Sequence, residues 1–75
     1  MSASGMVVRR HSSQWIGVLR CGAATPDEAR ALADGYIERR GIVAEWTKTT
    51  GGRRMKVGIA GLRQYDVIYR LERRP

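Results

Sequence analysis

The sequence predicts a small α+β domain: a mainly antiparallel sheet of four strands, or five, with one helix packed on one face. The expected order is strand, helix, strand, strand, strand, with the additional strand in front. Three observations carry this prediction. A single helical segment is sharply capped, runs of period-two hydrophobicity lie on both sides of it, and 75 residues are too few to build a second core.

Met1 to Gly5 is small and polar and is expected to be disordered, residues 6–72 are expected to form the single domain, and residues 73–75 a basic tail. Met6-Val7-Val8-Arg9-Arg10 reads as the optional short strand. His11-Ser12-Ser13 breaks it, and Gln14 to Cys21 reads as a firmer strand, making the pair a candidate hairpin.

The helix follows from its end signals. Thr25-Pro26-Asp27-Glu28 supplies a capping hydroxyl, proline at the first helical position and Glu three residues after the cap. Arg39 and Arg40 suit the other end, and Gly41 terminates it. Ala29, Leu32, Ala33, Tyr36 and Ile37 recur at helical spacing as one apolar stripe, which must lie on a sheet, while Arg30 and Asp34 can pair on the solvated side. Gly35 inside this helix costs about 1 kcal/mol relative to Ala, so close approach to a neighbouring backbone is the favoured explanation for it.

Past Gly41 the period becomes two. Ile42, Ala44 and Trp46 alternate with Val43, Glu45 and Thr47, and Gly51-Gly52 is expected as a two-residue turn into a strand at Arg54 to Ile59. A last strand runs from Tyr65 to Glu72. Met55, Val57 and Ile59 with Tyr65, Val67, Tyr69 and Leu71 are expected in the core, and Arg54, Lys56, Glu45, Thr47, Asp66 and Arg70 on the uncovered face. Trp46 is expected in the core as well.

Charge narrows the partner class. Fourteen Lys and Arg against seven Asp and Glu leave a net +7, with a pI near 10.8. Twelve of the fourteen are Arg, which a GC-rich genome also produces, yet the sign of the field favours acidic polymers, nucleic acid first. Thr25 to Arg40 carries three cations and four anions, so the surplus sits on strands and tips. Arg9, Arg10, Lys48, Arg53, Arg54, Lys56, Arg73 and Arg74 are the candidate nucleic-acid-binding residues, with Lys48 to Lys56 forming a basic hairpin tip. A two-stranded ribbon fits the DNA major groove, and outward-facing Trp46 or Tyr69 would stack on unpaired bases. The competing reading of these cations is a solvated edge that discourages sheet aggregation.

Catalysis and metal binding have little support. His11 beside Ser12 and Ser13 makes no triad, since triads assemble from distant segments, and one His with one Cys does not furnish a zinc site. No glycine spacing matches a phosphate-cradling loop. Cys21 cannot form an internal disulfide and reads as a small buried hydrophobe. The N-terminus lacks an apolar signal segment, so a cytoplasmic location is expected, without membrane, metal or cofactor.

Thr25-Pro26-Asp27-Glu28-Ala29, Gly41-Ile42-Val43-Ala44 and Arg54-Met55-Lys56-Val57-Gly58 are the stretches through which Trp15 to Leu62 loosely resembles the first three elements of the peptidoglycan-binding sporulation-related repeat. That resemblance implies a wall-glycan binder and carries over no binding residue, and the family's second helix has no counterpart after Gly61. The strand-rich basic layout also looks faintly like the arm-site DNA-binding domains of phage integrases, whose helix follows the sheet.

The expected function is therefore a non-enzymatic accessory or regulatory protein, of the kind phages and mobile elements carry, that binds nucleic acid, DNA ahead of RNA. The alternative is an interaction module, pairing with a second copy or a host protein through the open sheet face or an edge strand. The wall-glycan reading comes third.

Overall fold

The computed structural model describes residues 5–54 and 61–73. Its elements are β1 (Val7–His11), β2 (Gln14–Ala23), α1 (Pro26–Arg39), β3 (Ala44–Arg54) and β4 (Arg63–Leu71). The four strands form one antiparallel sheet in the order β1-β2-β4-β3, with α1 packed on one face. This is the expected small α+β architecture. The N-terminal strand is present and pairs with β2 as a hairpin, closed by Ser12 and Ser13 between the paired His11 and Gln14. Ser12 takes the positive φ of 56° that so tight a turn demands.

The helix ends form as their residues dictate. The Thr25 hydroxyl accepts from the Glu28 N–H at 3.2 Å, and the Glu28 carboxylate accepts from the Ala24 N–H at 3.2 Å. At the far end Gly41, at φ 62°, donates to the Glu38 carbonyl while Ile42 donates to that of Ile37, both at 3.1 Å. This paired closure satisfies two of the last carbonyls and turns Ile42 back onto the core.

The core lies between α1 and the sheet. Ala29, Ala33 and Ile37 from the helix meet Leu19, Cys21 and Ala23 from β2 and Tyr65, Val67, Tyr69 and Leu71 from β4. Leu32 and Tyr36 complete the stripe as half-buried residues. The Tyr69 hydroxyl donates to Asp34, which also pairs with Arg30 at 3.6 Å, and the Arg30 guanidinium lies 4.0 Å over the Trp46 ring. One polar chain thus runs from β4 through the helix to β3.

Three expectations need correction. Gly51-Gly52 is not a turn: β3 runs through it, still paired with β4, and the register shifts between Gly51 and Arg53 as a bulge does. Both glycines have positive φ, 105° and 94°, a conformation that suits a bulge as well as a turn. Arg54, expected to open the next strand, ends β3; the rest of that expected strand, with Met55, Lys56, Val57 and Ile59, lies outside the described residues, as do Met1 to Ser4 and Arg74.

Trp46 is not in the core. It is 36% exposed on edge strand β3, where its indole N–H donates to the Thr49 hydroxyl at 3.1 Å and its ring meets the Arg30 guanidinium of α1 in place of the apolar core. Gly35 has no backbone close by. A Cβ there would meet only the Arg39 guanidinium, at 3.1 Å, so close packing does not account for this glycine.

Candidate functional site

Strand alternation divides the sheet into two unlike faces. Leu19, Cys21 and Ala23 on β2, and Tyr65, Val67, Tyr69 and Leu71 on β4, point toward α1. Their neighbours point away. Across the sheet from β1 to β3, the pairing places Arg9, Ile16, Arg70 and Glu45 in one row of this uncovered face, and Val7, Val18, Ile68 and Lys48 in the next. Arg20, Asp66 and Thr50 make a third row, and Gly22, Gln64 and Arg53 a fourth.

An aliphatic strip therefore lies in the middle of the face with cations around it. Val7, 53% exposed, Val18 and Ile68 line one shallow depression with Arg9, Arg20 and Asp66. Ile16 and Ile68 line another with Lys48, Glu45 and Arg70. Arg53 joins Arg20, Thr50, Gln64 and Asp66 in a third. Among the described residues the face holds five cations and two carboxylates. Both carboxylates are engaged: Asp66 with Arg20 at 3.2 Å, and Glu45 with Arg70 at 2.7 Å. Arg9, Lys48 and Arg53 have no ion pair among the described residues.

The residues expected to bind nucleic acid are thus divided between the two faces. Arg9, Lys48 and Arg53 share the uncovered one. Arg10 and Arg54 point the other way, Arg10 lying 5.3 Å over the Trp15 ring and Arg54 standing opposite Arg63. Arg73 follows β4 and is exposed. Lys56 and Arg74 are outside the described residues, and no tight turn at Gly51-Gly52 gathers the cations at a tip. Glu45, Asp66 and Arg70 lie on the open face as expected; Thr47 is the extra residue where the β3 register shifts between Trp46 and Lys48.

Sequence reasoning missed Arg20 as a site residue, and it missed Val7, Ile16, Val18 and Ile68 as an exposed strip. The signal available was the phase of β2. Once Leu19 and Cys21 face inward, Ile16, Val18 and Arg20 must face outward, but apolar residues on both sides of a strand hide that phase.

Among the described residues no arrangement for acid–base chemistry stands out. Cys21 is fully buried, and burial, aided by the Asp66 charge, pushes its thiol above the ordinary 9.0. Burial and the bond to Asp34 push the Tyr69 hydroxyl up from its ordinary 10.0. Both are held neutral beneath the helix, where they act as core. Among the described residues no three His, Cys, Asp or Glu side chains are grouped to hold a metal ion, and no helix is long and apolar enough to cross a membrane.

No family model matches this sequence. No curated protein and no solved structure shows significant similarity to it either.

Proposed function

We propose that this protein binds nucleic acid through the uncovered face of its sheet, as a non-enzymatic accessory protein. One observation carries the reading: among the described residues, Arg9, Lys48 and Arg53 share that face without ion pairs of their own, around a strip on the side of the sheet away from α1. An unpaired cation beside phosphate releases a condensed counterion, so several of them together supply affinity that falls as salt rises. The net +7 of the chain adds long-range attraction to the same partner.

Pairing of two copies through this face is the second reading, favoured by Val7, Val18 and Ile68. Charge opposes it, because face-to-face packing would bring five cations against five with only two carboxylates on each side.

Neighbouring arginines on opposite faces make the test face-specific. Arg9→Glu with Arg53→Glu, and Arg10→Glu with Arg54→Glu, change net charge identically. Fluorescence anisotropy with labelled DNA is expected to show the first pair weakening binding and flattening the dependence of log Kd on log salt by about two, one for each lost phosphate contact. The second pair should retain most of the affinity. Equal losses from both pairs would mean that net charge, and not this face, governs binding.

A further inference from the structure

We infer that the nucleic acid this face takes is double-stranded B-form DNA, held across its major groove. The inference rests on the nucleic-acid reading above and adds the class of ligand.

Its first ground is the placement of the rings. The chain has five aromatic residues, two Trp and three Tyr. Tyr65 and Tyr69 are buried under α1, Trp15 and Trp46 share their side of the sheet by register, and Tyr36 is on the helix itself. By register the uncovered face keeps one ring, the exposed His11 imidazole at the hairpin end of β1 opposite Gln14, and neither Trp nor Tyr. Proteins that hold single strands take much of their affinity from successive bases stacked on aromatic side chains, and a single imidazole at one end of this face is a poor platform for that.

The second ground is spacing. β1 and β3 are the outer strands, three strand intervals apart, or about 14 Å at the usual separation. That span is close to the roughly 12 Å width of the major groove. With β2 and β4 facing the groove, Arg9 on one outer strand and Lys48 and Arg53 on the other reach phosphates on its opposite sides. β2 and β4, the two central strands, would lie over the groove and direct their outward side chains into it.

The third ground is the chemistry between those cations. Ile16, Val18 and Ile68 offer methyl and methylene groups where the groove offers the thymine C5-methyl. Asp66 and Glu45 bring negative charge to the same face, but each is compensated by its arginine at 3.2 and 2.7 Å. An A-form RNA duplex does not fit this scheme, because its major groove is too deep and narrow for side chains to enter.

The experiment titrates the full chain with one sequence in three forms, duplex DNA, its single strand and duplex RNA, reading anisotropy of a label and the intrinsic tryptophan emission. Duplex DNA is expected to bind tightest, by about tenfold or more over the single strand, since each missing base stack forfeits a factor of that order. Tryptophan emission should stay unchanged throughout, because both indoles are on the far side of the sheet. Tighter binding of the single strand with quenching, or equal binding of duplex RNA, overturns the groove inference while leaving nucleic-acid binding intact. Failure of all three forms to bind at low salt overturns both. A Val18→Lys variant guards against a purely electrostatic result: the added cation should improve generic phosphate binding, whereas groove docking loses a methyl contact and predicts a smaller preference for duplex DNA over the single strand.

Discussion

Tyr69 and Cys21 are the two residues at which the core meets pH. Burial raises both above their ordinary values of 10.0 and 9.0, so the folded protein favours their neutral forms. A group raised by folding contributes stability fully below its unfolded value and loses that contribution as pH climbs through the folded one. The melting temperature is therefore expected to hold up to about pH 9 and to fall above it. A Cys21→Ala/Tyr69→Phe double variant should show a shallower alkaline decline, and an equally steep one would mean that other groups cause it. Gly35 gives a prediction of opposite sign. Only the Arg39 guanidinium lies near the space a Cβ would take, and that side chain can swing aside. Gly35→Ala should then stabilise the protein by up to about 1 kcal/mol, measured by thermal or urea unfolding. The cost of this glycine was legible in the sequence. Its surroundings were not, because helical spacing places a residue on a face without saying what stands over it.

Among the elements, α1 was the most legible because its instructions are local: Thr25, Pro26, Glu28 and Gly41 each act on backbone groups within a few residues. Gly51-Gly52 was misread for the converse reason. Two glycines in sequence suit a hairpin turn and a bulge equally, and the choice depends on how far β4 continues alongside, a contact with residues more than ten positions away. At Gly51 the approach is close. A Cβ would lie 2.8 Å from the Gln64 carbonyl oxygen and 3.3 Å from the Tyr65 Cα, both backbone atoms of β4, at a φ of 105° that side chains rarely adopt. Gly51→Ala is expected to cost about 2 kcal/mol or more in denaturant unfolding. A loss near zero would show that β3 can slip past its partner here without harm. Trp46 was misplaced by the same kind of shortfall, since period-two alternation correctly set its side of the sheet but could not show that at the β3 edge it meets an arginine of α1 and stays partly exposed.

For the molecule as a whole, one helix on four strands leaves one face uncovered, and the division of the arginines between the two faces follows from strand phase alone. Arg9 and Arg10, like Arg53 and Arg54, are adjacent in sequence and opposite in space. The surplus of cations was plain from composition. Which of them act together was not, because that requires the strand order, and nothing in the chain announces that β4 inserts between β2 and β3. This insertion also bears on how the protein is made. Because β4 joins β2 to β3 and follows every other described element in chain order, those earlier strands emerge from the ribosome without the neighbour that joins them. Up to that point only the β1-β2 hairpin and a marginal helix can form, and short isolated elements are weak in water. The sheet consequently closes only once β4 has been translated, with the apolar side of β2 waiting open until it arrives.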